Sequence, residues 1–154
     1  MLIESANKND YEEIVSIMQE GQDFHCSLRP DLYKVIGCSS FLKKSVYNKL
    51  VKSNMIWIAR DKEIMGFIIC RSKKRSNSIF MKAYKSLIID FISVREKYKQ
   101  HGVATELINY CFTYAKKEKY EKIELQVCAS NTAAINLYNK LSFSEKLINL
   151  EKCV

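Results

Sequence analysis

The sequence is short of the residues that interrupt and turn a chain. It holds four glycines, one proline, one tryptophan and two histidines in 154 residues. So little glycine and proline excludes a collagen-like or linker-rich design. No apolar run approaches the ~20 residues that a membrane-crossing helix needs. The opening MLIESANKND lacks a basic start followed by an apolar stretch, so no signal peptide is expected and the reading is cytoplasmic. Metal-ligand spacing is missing too. Cys26, Cys38, Cys70, Cys111, Cys128 and Cys153 form no CxxC pair, and most lie in apolar runs such as FIIC and ELQVC. They read as reduced, structural thiols acting as small core hydrophobes, and no metal is expected.

What is present is a globular composition. Hydrophobic residues make up 47% of the chain and charged residues 27%, which excludes disorder. The length fits one domain over 1–154. A net charge of +8 is spread unevenly. Residues 1–31 carry seven acids against two bases, a net of −5, while residues 32–100 carry sixteen bases against four acids, a net of +12. The middle therefore implies an anionic partner, and the start admits a cationic one.

The periodicity gives an order of elements. Asn9 or Asp10 is expected to cap a helix with Tyr11, Ile14, Ile17 and Met18 on its apolar face, ended by Gly21. Pro30 then holds Arg29 out of the helical region. A second helix is expected from Phe41 to Leu50 through Leu42, Val46 and Leu50. MIWIAR (55–60) and IMGFIICR (64–71) read as an antiparallel hairpin, and SKKRSNS as a basic loop after it. SLIIDFISV (86–94) is a strand with one acid, Asp90, inside it. A helix over Val103 to Lys117, a strand KIELQV (122–127), a helix over Asn131 to Leu141 and a last strand at Ile148 to Leu150 complete the chain. The class is α/β, a mixed sheet covered by helices on both faces, with a right-handed parallel crossover over 86–127.

Two segments carry chemistry. VREKYKQHGVATEL joins the 86–94 strand to a helix, with Gly102 and Ala104 at the helix start. Backbone N–H groups there lack partners and carry partial positive charge, so small residues let a pyrophosphate approach; an ordinary strand-to-helix turn is the alternative. Neither a dinucleotide fingerprint nor a P-loop is present. The second segment, NTAAINLYNKLSF, puts Ala134, Leu137, Tyr138 and Leu141 on one helical face. Taken alone, Tyr138 reads as a packed core tyrosine.

Together and in this order, the two segments resemble the GNAT superfamily of acetyl-CoA-dependent N-acetyltransferases. Its motif [QR]-x-x-G-x-[GA] is met by Lys99, Gln100, His101, Gly102, Val103 and Ala104. Its later motif N-x-x-A-x-x-L-Y-x-x-L-G-F is met by Asn131, Ala134, Leu137, Tyr138, Leu141 and Phe143. The match is strongest over residues 86–143. Lys99 departs from the usual Gln or Arg, and Ser142 from the usual Gly in a turn that favours positive φ.

The resemblance implies a GNAT-like, mostly antiparallel sheet and a transfer of acetyl from acetyl-CoA to a primary amine. Ile92, Ser93 and Val94 would meet the pantetheine arm, and the N–H groups from Gln100 to Ala104 the pyrophosphate. Lys97 and Lys99 would offset its charge, and Asn131 would touch the cofactor. Tyr138 would protonate the departing thiolate. Asp90 would be base or amine anchor, expected by alternation on the face of Ile92 and Val94, with a structural carboxylate as the competing reading. His25, in the helix region that walls the family's acceptor site, ranks low as an isolated histidine.

The expected partner is a small cationic amine, with no nucleic acid and no membrane, and a homodimer is compatible. A peptide or protein amine as acceptor is the alternative, as is a non-catalytic acyl-CoA sensor.

Overall fold

The computed structural model describes residues 1–154, apart from the side chain of Phe41. Five strands form one sheet in the order β1 (Leu2–Ser5), β2 (Ile56–Arg60), β3 (Ile64–Arg75), β4 (Tyr84–Val94) and β5 (Lys122–Leu125). Neighbours are antiparallel except β4 and β5, which run parallel through α4 (Val103–Lys117). The short β1 has no apolar run to announce it; pairing with β2 makes it a strand.

The sheet is buried on both faces. Ile56 and Ile58 of β2 join α1 (Tyr11–Leu28) in one core, and Trp57 and Ala59 join α4 in the other. That is why this strand reads as a continuous apolar run with no alternation. α5 (Thr132–Lys140) closes the α4 side, while α2 (Cys38–Phe41) and α3 (Lys44–Lys52) lie on the α1 side.

Several expectations are corrected. Asp10 stands at the N-cap of α1 as expected but makes no side-chain cap bond to it; the capping box lies one turn earlier, where the Asn7 side chain accepts from the Asn9 N–H at 2.9 Å and the Asp10 carboxylate accepts from the Asn7 N–H at 2.8 Å. Gly21 does not end α1, which continues to Leu28. It is a point of close approach, since a Cβ there would sit 2.9 Å from the Ser93 hydroxyl oxygen. That hydroxyl donates to the Ile17 carbonyl at 3.2 Å, tying α1 to β4.

The helix expected from Phe41 to Leu50 is two helices. Tyr47 is its fully buried residue, while Val46 is exposed. The basic loop expected over 72–78 is shorter than that, because β3 runs to Arg75 opposite Tyr84 and only 76–78 are irregular; cross-strand hydrogen bonding overrides the polar composition of 72–75. No strand forms over Ile148 to Leu150, whose apolar side chains are exposed.

Candidate functional site at the open edge of β4

β4 outruns β5. Their parallel pairing ends at Ile89 opposite Leu125, whereas β4 continues to Val94. Residues 90–94 therefore have β3 on one side and no strand on the other among the described residues. At the same point β4 bulges: Ile69 faces Phe91 and Cys70 faces Ile89, leaving Asp90 as the extra residue.

The bulge corrects the face assigned to Asp90. Ile92 and Val94 pack in the α4 core, but Asp90 and Phe91 line a cavity of about 300 Å³ on the opposite side, with Met18, Leu42, Val46 and Leu50. Simple alternation fails because one residue has been inserted. The Asp90 carboxylate accepts from the Arg71 Nε at 2.9 Å.

After Val94 the chain turns into α4. Arg95, a residue the sequence reading passed over, anchors this turn. Its side chain is only 16% exposed and donates from Nε to the Ile64 carbonyl at 2.9 Å. It also lies 3.5 Å from Glu13, 3.5 Å from Glu20 and 3.9 Å from Glu63. Glu20 in turn accepts from the Glu96 N–H at 2.8 Å. A buried arginine meeting acids from α1 leaves no spacing signature, so sequence could not find it.

Gln100 and Gly102 then take left-handed φ values of 63° and 80°. The first helical bond runs from the Glu106 N–H to the Gly102 carbonyl at 3.0 Å, so the N–H groups of Val103, Ala104 and Thr105 have no acceptor inside the helix. The Val103 side chain is buried in the α4 core, so only its backbone is on offer. Ala104 is half-buried, and His101 is exposed with Nδ1 2.7 Å from the Lys99 carbonyl. The two lysines are already matched: Lys97 pairs with Glu63 at 2.5 Å, and Lys99 with Glu96. The arrangement presents backbone donors and a helix N-terminus, which suits a phosphate, beside an unpaired strand edge, which suits an amide-bearing chain.

On the far side, the Asn131 side chain accepts from the Ala134 N–H at 3.2 Å and so caps α5. Tyr138 is buried in the α4 core, 9% exposed, with the Phe143 ring 5.7 Å away and edge-on. Its hydroxyl makes no hydrogen bond to a described residue, and burial pushes its pKa up. Ser142 adopts φ 63°, the conformation expected of the glycine it replaces.

The acids of residues 1–31 do not gather at a cavity. Glu4 and Asp10 pair with Arg60, Glu13 and Glu20 approach Arg95, and Asp31 pairs with Arg29. Among the described residues, Asp90 is the one acid on the walls of its cavity. None of the six cysteines is in a disulfide. No described helix is long and apolar enough to cross a membrane.

The family model described as acetyltransferase (GNAT) family matches residues 14–143. The chain belongs to that family. An N-alpha-acetyltransferase of Sulfurisphaera tokodaii is 35% identical over 91 residues, covering 55% of this chain and 53% of the relative. The chain spans about half or less of the length of the curated relatives it matches. Among solved structures, a mutant of a Bacillus halodurans protein superposes with a TM-score of 0.93 at 20% identity, covering 100% of this chain and 99% of that one. A predicted acetyltransferase of Clostridium acetobutylicum, solved with acetyl-CoA, superposes at 0.73 with 19% identity, covering 99% and 95%. At such identities the superpositions speak for the GNAT fold.

Proposed function

We propose that this GNAT chain transfers the acetyl group of acetyl-CoA to the primary amine of a small molecule. The observation that carries the reading is the continuity of the unpaired β4 edge, residues 90–94, with the left-handed turn at Gln100 and Gly102. In this reading the pantetheine amides meet the backbone of Ile92, Ser93 and Val94. The pyrophosphate sits on the N–H groups from Gln100 to Ala104, with Lys97 and Lys99 on the surface nearby and Asn131 holding α5 in place. The Tyr138 phenol gives its proton to the departing thiolate. Its raised pKa keeps it protonated at neutral pH, as an acid must be.

Asp90 is the amine anchor at the rim of the acceptor cavity. Asp90 is paired with Arg71 but stands on the cavity wall, so any preference for a cationic acceptor rests on it, and the surrounding wall favours an acceptor with an apolar body. A peptide α-amine is the second reading, supported by the archaeal relative named an N-alpha-acetyltransferase. The test is free-thiol release from acetyl-CoA with alkylamines, polyamines and peptides as acceptors. Release with at least one class is expected. Binding of acetyl-CoA with no release from any class would instead support an acyl-CoA sensor.

A further inference from the structure

We propose that His25 of α1, and not Asp90, is the base that takes the proton from the acceptor amine. The proposal rests on the transfer reading above and assigns a role within that site.

A second cavity, of about 250 Å³, lies between α1, the segment that follows it and β4. Gln22, His25, Tyr33, Cys38, Ile92 and Ser93 are among its walls. Ile92 and Ser93 are residues assigned to the pantetheine arm, so imidazole and thioester would face one chamber. The chamber adjoins the cavity of Asp90, because Met18 and Phe91 line both. An amine reaching the thioester between them has His25 on one side, with its body running towards Asp90.

The polar groups around His25 are satisfied without it. Gln22 donates to the Lys34 carbonyl at 2.8 Å, and the Cys26 thiol donates to the same carbonyl at 3.3 Å. The His25 Nδ1 is buried and has no hydrogen-bond partner among the described residues. A buried polar atom left alone needs a reason. The ring is held in place by Tyr33, 5.1 Å away, and Phe24, 6.0 Å away.

The titratable groups around it are Cys26 on its own helix and Tyr33 and Cys38 on the segment after it. β3 and β4 contribute Phe67, Phe91, Ile92 and Ser93. No carboxylate or cation lines the chamber, so nothing there holds the imidazole protonated. Burial lowers its pKa below the ordinary 6.5, leaving it neutral with a free lone pair at neutral pH. Asp90, by contrast, is engaged by the Arg71 guanidinium and lines the neighbouring cavity.

The step balances. The amine nitrogen attacks the acetyl carbonyl carbon and a C–N bond forms. The proton lost from nitrogen passes to the accessible His25 Nε2, since Nδ1 is sealed inside the packing; the C–S bond breaks, and sulfur takes the Tyr138 proton. His25 then releases its proton to solvent and the Tyr138 phenolate takes one back, giving amide and free CoA thiol.

The experiment measures kcat/KM against pH with acetyl-CoA and the best amine of the panel, for wild type, His25→Gln and Asp90→Asn. Wild-type activity should fall as pH drops through a value below 6.5, where the imidazole gains its proton. His25→Gln should lose that limb and about 10²–10³ in rate, with acetyl-CoA affinity within about twofold of wild type. Asp90→Asn should keep the limb. A His25→Gln enzyme with wild-type rate and limb overturns the assignment alone; a wild-type protein that transfers to no amine overturns the transfer reading and this assignment together. Should His25→Gln fail to fold, imidazole NMR of the wild type decides. His25 and His101 are the only histidines, and His101→Gln tells their signals apart. His25 must titrate at the pKa of the kinetic limb, and a mismatch overturns the assignment.

Discussion

Where β4 leads into α4, what lies open is main chain: the bare edge of β4, two left-handed residues and the first N–H groups of a helix. On the α1 side, what faces the chambers is side chain: Gln22, His25, Tyr33, Met18 and Leu42, from segments spread over 25 residues of sequence and more. Main-chain donors are supplied by nearly any residue once the turn is set, so a few small residues at fixed spacing suffice to mark them. A side-chain wall depends on which helix face turns inward and can differ freely between relatives. The two sides meet at β4, where the Ser93 hydroxyl reaches the Ile17 carbonyl.

The most severe way to test this contrast is to remove the one side chain to which the proposed function gives chemistry on the α4 side. Tyr138→Phe keeps the ring against Phe143 and deletes only the hydroxyl, which makes no hydrogen bond to a described residue. Folding should therefore be close to unchanged. Turnover should fall about 10²–10³-fold, the ordinary worth of a positioned proton donor, with acetyl-CoA affinity held. Steady-state kinetics beside a thermal-shift titration separate the two. A variant that turns over at the wild-type rate would make Tyr138 a packing residue and leave the α4 side entirely main chain.

A smaller effect is expected where main chain itself is altered. Gly102 has open space around its missing Cβ, so Gly102→Ala creates no clash. Its cost comes from φ +80°, a left-handed conformation that penalises an L-residue by about 1–2 kcal/mol. If that penalty falls on the bound turn, acetyl-CoA affinity should drop about tenfold, equivalent to ~1.4 kcal/mol. Isothermal titration would measure it. An unaltered affinity would mean that the turn relaxes at no cost, and that the α4 side is less dependent on backbone geometry than the contrast requires.

The same contrast explains what could be read from the sequence. The span of α4, the α5 helix with Tyr138, and the Gly102 turn are local and periodic, and they lie where the motifs put them. Asp90 was found as an oddity of composition, but its face was not, because a bulge shows no mark in a run of β-prone residues. Gly21 looked like a stop signal because its true role, contact with Ser93, joins residues 72 positions apart. The seven acids of residues 1–31 looked like an attractor for a cation until the arginine partners of five of them, at 29, 60 and 95, were in view. His25 was noticed only for its place in the region that walls the family's acceptor site and ranked low, since an unpartnered ring nitrogen is visible only once its surroundings are known.

The finest test of the contrast concerns Ser142, where main-chain strain lies close to Tyr138, the proposed proton donor. Ser142 holds φ 63° while the turn keeps its bonds: the Ser142 N–H donates to the Asn139 carbonyl at 3.0 Å and the Phe143 N–H to the Tyr138 carbonyl at 3.0 Å. Glycine would remove a left-handed strain of about 1 kcal/mol and return some of it as unfolded-chain entropy, about 0.4–1 kcal/mol. Ser142→Gly should therefore raise the melting temperature by about 2 °C at most. Turnover should not change, because both turn bonds are already made and the strain ends one residue before Phe143. A scanning-calorimetry gain without a kinetic gain would keep strain and chemistry separate. A Ser142→Gly enzyme that is both more stable and faster would show the strain reaching Tyr138 through Phe143, and main chain would then shape the reacting side chain as well as the phosphate turn.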